Sequence, residues 1–424
     1  MRKITKLSIF SGLLVLVMLA GLLGACTQEA PAPAAPAAPP APIVIGEISA
    51  YTGPPATLFE HQKAGMQFAI DEINAAGGIK ALGGAKLEMI NLDHEFKAEL
   101  AKEAAERLIN KDKVDVFVMG SPSGFGVMIG EICEQAGISN WTLCVNTPEK
   151  TLQGFETVFS LPINSEMLGY VGLEYLKHIE EEYLGKKPQT IALLHADNEF
   201  NNQNAKAWTS HAPEFGYKVV GDVAYTWPSK DVTPFLLKVK ATNPDVLFIS
   251  DVGEGVQIER ALDVQGWDPL RIGLQSSYMG SGIIESLGER AEGLPGVGWF
   301  VKGATPDSVT FADKFEAEYG YPADSFSGIG YQNIWVIKAA IEKAGSRDRM
   351  AIARAGRELV YTKKDGPFVL PYDGKIDFDE TGQVPLGVAS GTKMQVQNGA
   401  WVSISPPGEG IKFKFRDAWA DWKK

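Results

Sequence analysis

The chain has 424 residues, of which 45% are hydrophobic, 10% aromatic and 22% charged. This composition excludes a wholly disordered protein, which would have low hydrophobicity and few aromatic side chains, and the length fits two or three domains. The formal net charge of −12 argues against a nucleic-acid partner, because proteins that bind nucleic acids present a basic surface. Three cysteines are too few for a disulfide scaffold or a structural zinc cluster.

The first residues are typical of an export signal. Three basic residues within the first six precede an apolar run over 9–23, which is too short for a membrane-spanning helix and matches a secretory signal. The run ends in the letters LGAC, which resemble the lipobox of bacterial lipoproteins. That resemblance implies that the signal peptide 1–25 is removed and that Cys26 carries the lipid. We therefore expect an extracytoplasmic protein anchored to the cell membrane.

Residues 26–42 predict a tether. Positions 30–42 contain only Ala and Pro, a composition that cannot form a core and favours polyproline II. At about 3.1 Å per residue this stretch would extend roughly 40 Å. We expect it to act as a semi-rigid spacer between the lipid and a folded body.

The body begins with an alternation of strands and helices. Short apolar runs rich in β-branched residues predict strands, and apolar residues at helical spacing predict helices. The first block has predicted strands at 43–48, 86–92, 114–119 and 139–144, with helices between them. The alternation restarts after about residue 160, with predicted strands at 190–194, 217–225, 245–250 and 271–274. Two such blocks predict an α/β protein with two lobes, each built on a parallel sheet.

The segments that follow the predicted strands are the expected location of a ligand site. In open α/β sheets, ligands bind beyond the carboxyl ends of the strands. These segments contain Ser, Thr, Asn, Tyr, Asp and Gly, which suits hydrogen bonding to a ligand better than catalysis. The five histidines lack a metal-ligand spacing, and neither a GxGxxG nor a GxSxG motif is present. We expect no enzyme activity, no cofactor and no metal.

Several motifs together resemble one family. They are YTGP at 51–54, DEINAAGGI at 71–79, the turn GSPS at 120–123, NTPE at 146–149 and GKIDFDETG at 374–382. This set is similar to the type I periplasmic binding proteins, specifically the branched-chain amino acid and amide receptors of ABC importers. The likeness extends from about residue 43 to residue 405.

The resemblance implies a two-lobed clamp whose chain crosses a three-strand hinge. Lobe 1 would comprise 43–160 plus 300–368, lobe 2 would comprise 161–299 plus 369–405, and 406–424 would form a C-terminal tail. A small polar solute (an amino acid, an amide or an aromatic acid) would bind between the lobes. The closed form would then dock on a membrane permease, with the receptor acting as a monomer.

The resemblance also implies site residues in lobe 1. Ser123 matches a serine that holds a ligand carboxylate, Asn146 falls where the family has a threonine, and Cys144 matches a backbone contact. Leu58, or its neighbour Phe59, falls where the family has an aromatic wall. Ser121 and Tyr51 join these candidates because they also follow predicted strands.

Lobe 2 departs from the family. Phe200 matches an aromatic position, but the glutamate that grips an α-ammonium is replaced by Gln275 and Ser276. Asp251, at another strand end, would be able to replace that charge; otherwise the ligand lacks an ammonium group.

Structural alternatives remain open for several candidates. Ser121, Ser123 and Asp251 also suit helix caps or turns, and Tyr51 and Phe200 also suit a core. Cys133 and Cys144 either form a disulfide, which export permits, or remain buried thiols. A lipoprotein sensor using the same clamp and, more remotely, an extracellular hydrolase are the alternative functions.

Overall fold

The structure is a computed structural model that describes residues 39–53, 56–274, 278, 282–389, 391–405 and 411–424. The predicted signal peptide, Cys26, most of the predicted spacer, Gln275 and Ser276 lie outside these ranges. The described part of the chain contains no helix that is both long and apolar enough to cross a membrane.

Lobe 1 is built on a parallel sheet of five strands in the order β2-β1-β3-β4-β5. The strands are β1 (Ile43–Ser49), β2 (Leu87–Asp93), β3 (Val116–Met119), β4 (Asn140–Thr142) and β5 (Val158–Ser160). The connecting helices are α1 (Ala56–Ala75), α2 (Ala98–Asn110) and α3 (Gly126–Gln135). Strands β1 and β3 are almost entirely buried, which explains why their sequences are apolar runs rather than alternating patterns.

Lobe 2 is built on a seven-stranded sheet in the order β14-β13-β10-β9-β8-β6-β7. Its parallel strands are β6 (Thr190–Asp197), β7 (Lys218–Thr226), β8 (Val246–Ser250), β9 (Leu270–Leu274) and β10 (Pro295–Gly298). The helices of this stretch are α4 (Ser165–Tyr183), α5 (Glu199–His211), α6 (Thr233–Ala241), α7 (Gly255–Val264) and α8 (Ile283–Leu287). The last two sheet strands run antiparallel to their neighbours. These antiparallel strands of the lobe 2 sheet are β13 (Thr392–Gln397) and β14 (Ala400–Ser405). Strands β11 (Val360–Thr362) and β12 (Lys375–Asp377) precede them in the chain and form a separate two-stranded sheet.

Three further helices return to lobe 1: α9 (Pro306–Tyr319), α10 (Ser325–Ala344) and α11 (Arg349–Arg357). Helix α10 lies against α1 so closely that glycines are required at the crossing. A Cβ on Gly65 would lie 2.0 Å from the Ser327 carbonyl oxygen, and one on Gly330 would lie 2.3 Å from the Gln62 carbonyl oxygen. Helix α10 begins with a capping box in which Asp324 accepts hydrogen bonds from the first-turn amides.

The chain passes between the lobes three times, after β5, after β10 and after β12. Two of these crossings lie side by side, because Ser160 N donates to Gly382 O (2.8 Å) and Val384 N donates to Ser160 O (3.0 Å). The buried Gln383 side chain ties them further, with Nε2 donating to Pro162 O at 2.8 Å. These crossings lie at the ends of strands, and a few element-terminal residues of this kind are what a hinge consists of.

The C-terminal segment 411–424 packs on lobe 2. Trp419 is fully buried, and its Nε1 donates to Asp268 O at 3.0 Å. The guanidinium groups of Arg271 and Arg416 each lie 5.6 Å from the centre of the Trp419 ring. Backbone bonds from Lys424 N to Tyr183 O (2.9 Å) and from Gly185 N to Trp422 O (2.8 Å) hold its end.

Candidate functional site

A cavity of about 150 Å³ lies between the two lobes, beyond the carboxyl ends of strands from both sheets. Its lining is mainly apolar, with Leu58, Phe59, Phe96, Phe125, Phe200, Val252 and Phe326. The polar lining side chains are Ser121, Ser123, Cys144, Asn146, Asn198 and Glu199. The position agrees with the rule that open α/β sheets bind ligands at their carboxyl edges.

The structure brings six of the ten predicted ligand-binding residues together around this cavity: Leu58, Ser121, Ser123, Cys144, Asn146 and Phe200. Tyr51 and Asp251 do not line it. Gln275 and Ser276 lie outside the described residues. Contact of any of these residues with a ligand stays a prediction.

The polar end of the cavity is formed by lobe 1. Ser123 begins a short 3₁₀ turn before α3, and its Oγ accepts a hydrogen bond from Asn146 N at 3.0 Å. Ser121 Oγ accepts a longer bond from Ala50 N at 3.4 Å. Neither serine caps a helix through its side chain at this point. Asn146 is 2% exposed, and its carboxamide oxygen has no partner among the residues that the structure describes. This end therefore offers hydroxyl and carboxamide groups to an occupant.

Tyr51 turns away from the cavity toward a buried carboxyl. Its hydroxyl donates to Glu47 Oε2 at 2.5 Å, and the same carboxyl accepts from Ser49 Oγ at 2.6 Å and from Asn91 Nδ2 at 3.0 Å. Burial raises the pKa of Glu47 despite these bonds. The cluster lies behind the wall of the cavity, where Gln62 Nε2 also donates to Cys144 Sγ at 3.0 Å.

Asp251 is fully buried in lobe 2 and holds the turn that leads into a helix; it does not cap the helix itself, whose N-cap residue is Glu254. Its Oδ1 accepts a hydrogen bond from Glu254 N at 2.8 Å, at the start of α7. Burial, together with the negative charge of Asp251, raises the pKa of Glu254 to about 7. Two acids so close together disfavour ionisation of both.

Cys133 and Cys144 are both free thiols, so the structure contains no disulfide between them. Burial raises the pKa of both thiols, which keeps them protonated and poorly nucleophilic. The part of the chain that the structure describes has no group of three or more His, Cys, Asp or Glu side chains suited to hold a metal ion.

Sequence reasoning missed several lining residues. Phe326 reaches the cavity from the first turn of α10, far along the chain from the other lobe 1 residues, and no local pattern signals this. Phe96 follows β2, and applying the strand-end rule to that strand as well would have found it; Val252 follows β8, next to the predicted Asp251. Asn198, the N-cap of α5, and its neighbour Glu199 lie at the same strand end as the predicted Phe200.

Comparison with known proteins agrees with this geometry. The family model described as "Periplasmic binding protein" matches residues 42–398. A Leu/Ile/Val-binding protein homologue from Brucella abortus is 26% identical over 397 residues, covering 91% of this chain and 96% of the relative.

Solved structures show the same fold. A leucine-binding protein, LivK, from Thermotoga maritima superposes with a TM-score of 0.73 at 22% identity, covering 85% of this chain and 97% of that one. A solute-binding protein of an ABC transporter from R. palustris, in complex with benzoate, superposes with a TM-score of 0.74 at 16% identity, covering 88% and 98%. The chain therefore belongs to the periplasmic binding protein family, in its type I, branched-chain amino acid class, and is a solute-binding protein rather than an enzyme.

Proposed function

We propose that this protein is the extracytoplasmic, lipid-anchored substrate-binding component of an ABC importer. It captures one small solute in the cavity between its lobes, closes on it, and delivers it to a membrane permease as a monomer. The cavity between two hinged lobes carries this proposal, because contacts from both sides favour a closed form when a ligand is bound. The LGAC motif and the Ala/Pro segment support the lipid anchor.

The binding mode proposed here divides the cavity into two ends. Ser123 and Asn146 bind the polar headgroup of the solute, with Ser121 and the backbone of Cys144 beside them. Leu58 and Phe200 pack against its apolar body, together with the other rings of the lining. The whole cavity, its polar end included, measures about 150 Å³, a volume that holds benzene, so the apolar body of the solute is no larger than one ring or one branched aliphatic chain.

The described lining of the cavity offers an ammonium group no buried counter-charge. Glu199 is the one acidic side chain among the described lining residues, and it is exposed. Asp251, the candidate replacement for the family's glutamate, is buried and bonded to Glu254 N. Residues 275–281 contain no acidic residue. An ammonium would therefore be desolvated without a buried counter-charge, which is costly. A small aromatic or branched aliphatic acid fits better than an amino acid.

Calorimetry with matched pairs of solutes tests this proposal. L-leucine and 4-methylpentanoate differ only in the ammonium group, as do L-phenylglycine and phenylacetate; benzoate completes the panel. We expect about one site per chain and tighter binding of the acid in each pair. Ser123→Ala should weaken binding by about 1–3 kcal/mol because a buried partner loses its hydrogen bond, whereas Ser210→Ala, at an exposed serine of α5, serves as the matched control.

Tighter binding of the amino acids would refute the solute class while leaving the transport role standing. An absence of binding across the panel, with no thermal shift, would count against the transport role itself. Fatty-acid labelling tests the anchor: Cys26→Ser should abolish incorporation and release the protein from the membrane.

A further inference from the structure

We propose that Phe96 and Trp227 form an aromatic latch that joins the two lobes across the mouth of the cavity and stabilises the closed form. The inference rests on the proposed hinge motion, but it concerns a contact made by the protein alone. The latch would set how much of the protein is closed before a solute binds, and thereby its apparent affinity.

The two rings belong to opposite lobes. Phe96 follows β2 of lobe 1, and Trp227 follows β7 of lobe 2. Their ring centroids are 5.1 Å apart with an interplanar angle of 45°, within the range for attractive aromatic pairs. Each ring is also fixed within its own lobe: Phe96 lies 6.3 Å from Phe125, and Trp227 Nε1 donates to Val252 O at 3.3 Å.

A strained turn presents Phe96 to the other lobe. Glu95 and Phe96 have φ values of 51° and 60°, in the left-handed region that non-glycine residues rarely adopt. Asp93 Oδ1 holds the turn by accepting from Glu95 N at 2.8 Å and from Tyr51 N at 3.0 Å. Consecutive residues in this conformation persist only where surrounding structure enforces it, and such strain concentrates at ligand clamps.

His94 connects this turn to the polar end of the cavity. Its buried ring accepts at Nδ1 from Phe96 N (3.2 Å), which leaves the proton on Nε2 to donate to Ser121 O (3.0 Å). Burial lowers the pKa of His94 and so favours the neutral ring that these two bonds need. The latch residue and a predicted ligand-binding serine are therefore positioned by one side chain.

The contact between the two rings exists only when the lobes are together, so this contact contributes to closure, whereas the packing of each ring within its own lobe is present in the open and the closed form. A polar contact also crosses the cleft, from Gln203 Nε2 to Glu149 Oε1 at 2.9 Å. Because both of its side chains retain access to water, it contributes little. The aromatic pair also removes apolar surface from water, so it contributes more to closure than this polar contact does.

Distance measurements on the ligand-free, full-length exported protein test the latch. Lys102 on α2 and Lys238 on α6 are exposed positions on different lobes, and p-acetylphenylalanine at each would carry a spin label without touching the native cysteines. Double electron–electron resonance should resolve two distances between the labels, a short one for the closed form and a longer one for the open form. We expect Phe96→Ala and Trp227→Ala each to lower the closed-to-open ratio about three- to tenfold, as loss of one aromatic pair implies.

Controls separate the latch from a general loss of packing. Phe215→Ala and Trp267→Ala remove partly buried rings within lobe 2 and should leave the ratio unchanged. The double variant of Phe96 and Trp227 should fall by much less than the product of the two single effects, because both substitutions remove the same contact. Equal thermal midpoints would establish that each variant is folded.

Three outcomes would overturn the latch: a wild-type protein with no closed population, latch variants that match the controls, or fully multiplicative single effects. Titration with the solute panel separates the two proposals. If the solutes close the wild type, the latch variants and the controls at the same concentrations, the latch fails and the transport role stands. If no solute binds but the latch variants lower the closed-to-open ratio, the latch stands and the transport role fails.

Discussion

Gly120 has no room for a side chain, and Gly120→Ala should disturb the structure that supports the site. Gly120 follows β3 and leads into the turn that carries Ser121 and Ser123. An added Cβ would lie 1.8 Å from Ser49 Oγ, 2.6 Å from Gln62 Oε1 and 2.7 Å from Glu47 Oε1. All three side chains are buried, so none has an open space to enter.

The expected loss of stability has two sources, overpacking at the buried position and a broken hydrogen bond. Overpacking a buried position costs about 1–3 kcal/mol. Ser49 Oγ must also leave Glu47 Oε1, which it contacts at 2.6 Å, and losing a hydrogen bond to such a group costs about 1.5–3 kcal/mol. We therefore expect Gly120→Ala to lower the free energy of unfolding by about 3–5 kcal/mol. Urea unfolding followed by circular dichroism measures this directly.

A matched glycine and a second substitution make the reasoning refutable. At Gly124 the nearest atom to an added Cβ is Glu199 Cβ at 3.9 Å, so Gly124→Ala should change the unfolding free energy by less than about 1 kcal/mol. Adding Ser49→Ala to Gly120→Ala removes the closest atom and should recover about 1 kcal/mol or more relative to additivity. A Gly120→Ala protein as stable as Gly124→Ala, or additive effects in the double variant, would show that the clash does not govern this site.

Three other predictions concern stability, each measured by urea unfolding. The pKa of Glu254 is raised to about 7 from an ordinary 4.5, so its contribution to folding stability is full below pH 4.5 and lost as the pH rises through about 7. Glu254→Gln should therefore flatten the pH dependence of the unfolding free energy between about pH 5 and pH 8. An unchanged slope would contradict this. Burial lowers the pKa of Lys150 from 10.5 to about 7, so its contribution to folding stability is full above pH 10.5 and lost as the pH falls through about 7. Lys150→Met should therefore stabilise the protein more at about pH 6 than at about pH 9. The opposite order would be inconsistent with a buried amine. Gly65→Ala should lower the free energy of unfolding by at least about 1–3 kcal/mol, because the added Cβ would lie 2.0 Å from Ser327 O in the backbone of α10. A variant as stable as the wild type would contradict the close packing of α1 against α10.

Much of the fold was predictable because burial on both faces of a parallel strand leaves a continuous apolar run. The strands predicted at 43–48 and 245–250 are observed as Ile43–Ser49 and Val246–Ser250. The hinge was beyond local patterns, since the pairing of Ser160 with Gln383 joins segments far apart in the chain. The resemblance to a family, rather than periodicity, supplied the expectation of three crossings.

The candidate site was partly predictable for a similar reason. Strand-end reasoning reached Ser123 and Asn146 because the carboxyl ends of parallel strands share one edge. It did not determine side-chain direction: Tyr51 and Asp251 lie at strand ends but bond to Glu47 and to the Glu254 amide. Such choices depend on buried hydrogen-bond partners, which a single sequence does not reveal.

The direction of β1 has a mechanical consequence. This strand runs toward the cavity and spans roughly 20 Å at about 3.3 Å per residue, so Pro42 lies at the opposite edge of the lobe 1 sheet, where Arg347 Nη2 donates to its carbonyl at 2.7 Å. The C-terminal segment 411–424 is fixed to lobe 2 instead. A support that holds the protein at Pro42 would keep lobe 1 stationary, and opening of the proposed hinge would move only lobe 2. A fluorophore near Lys424 would thus travel through the full amplitude of the motion, which makes this end of the chain the natural place for an optical readout of solute binding.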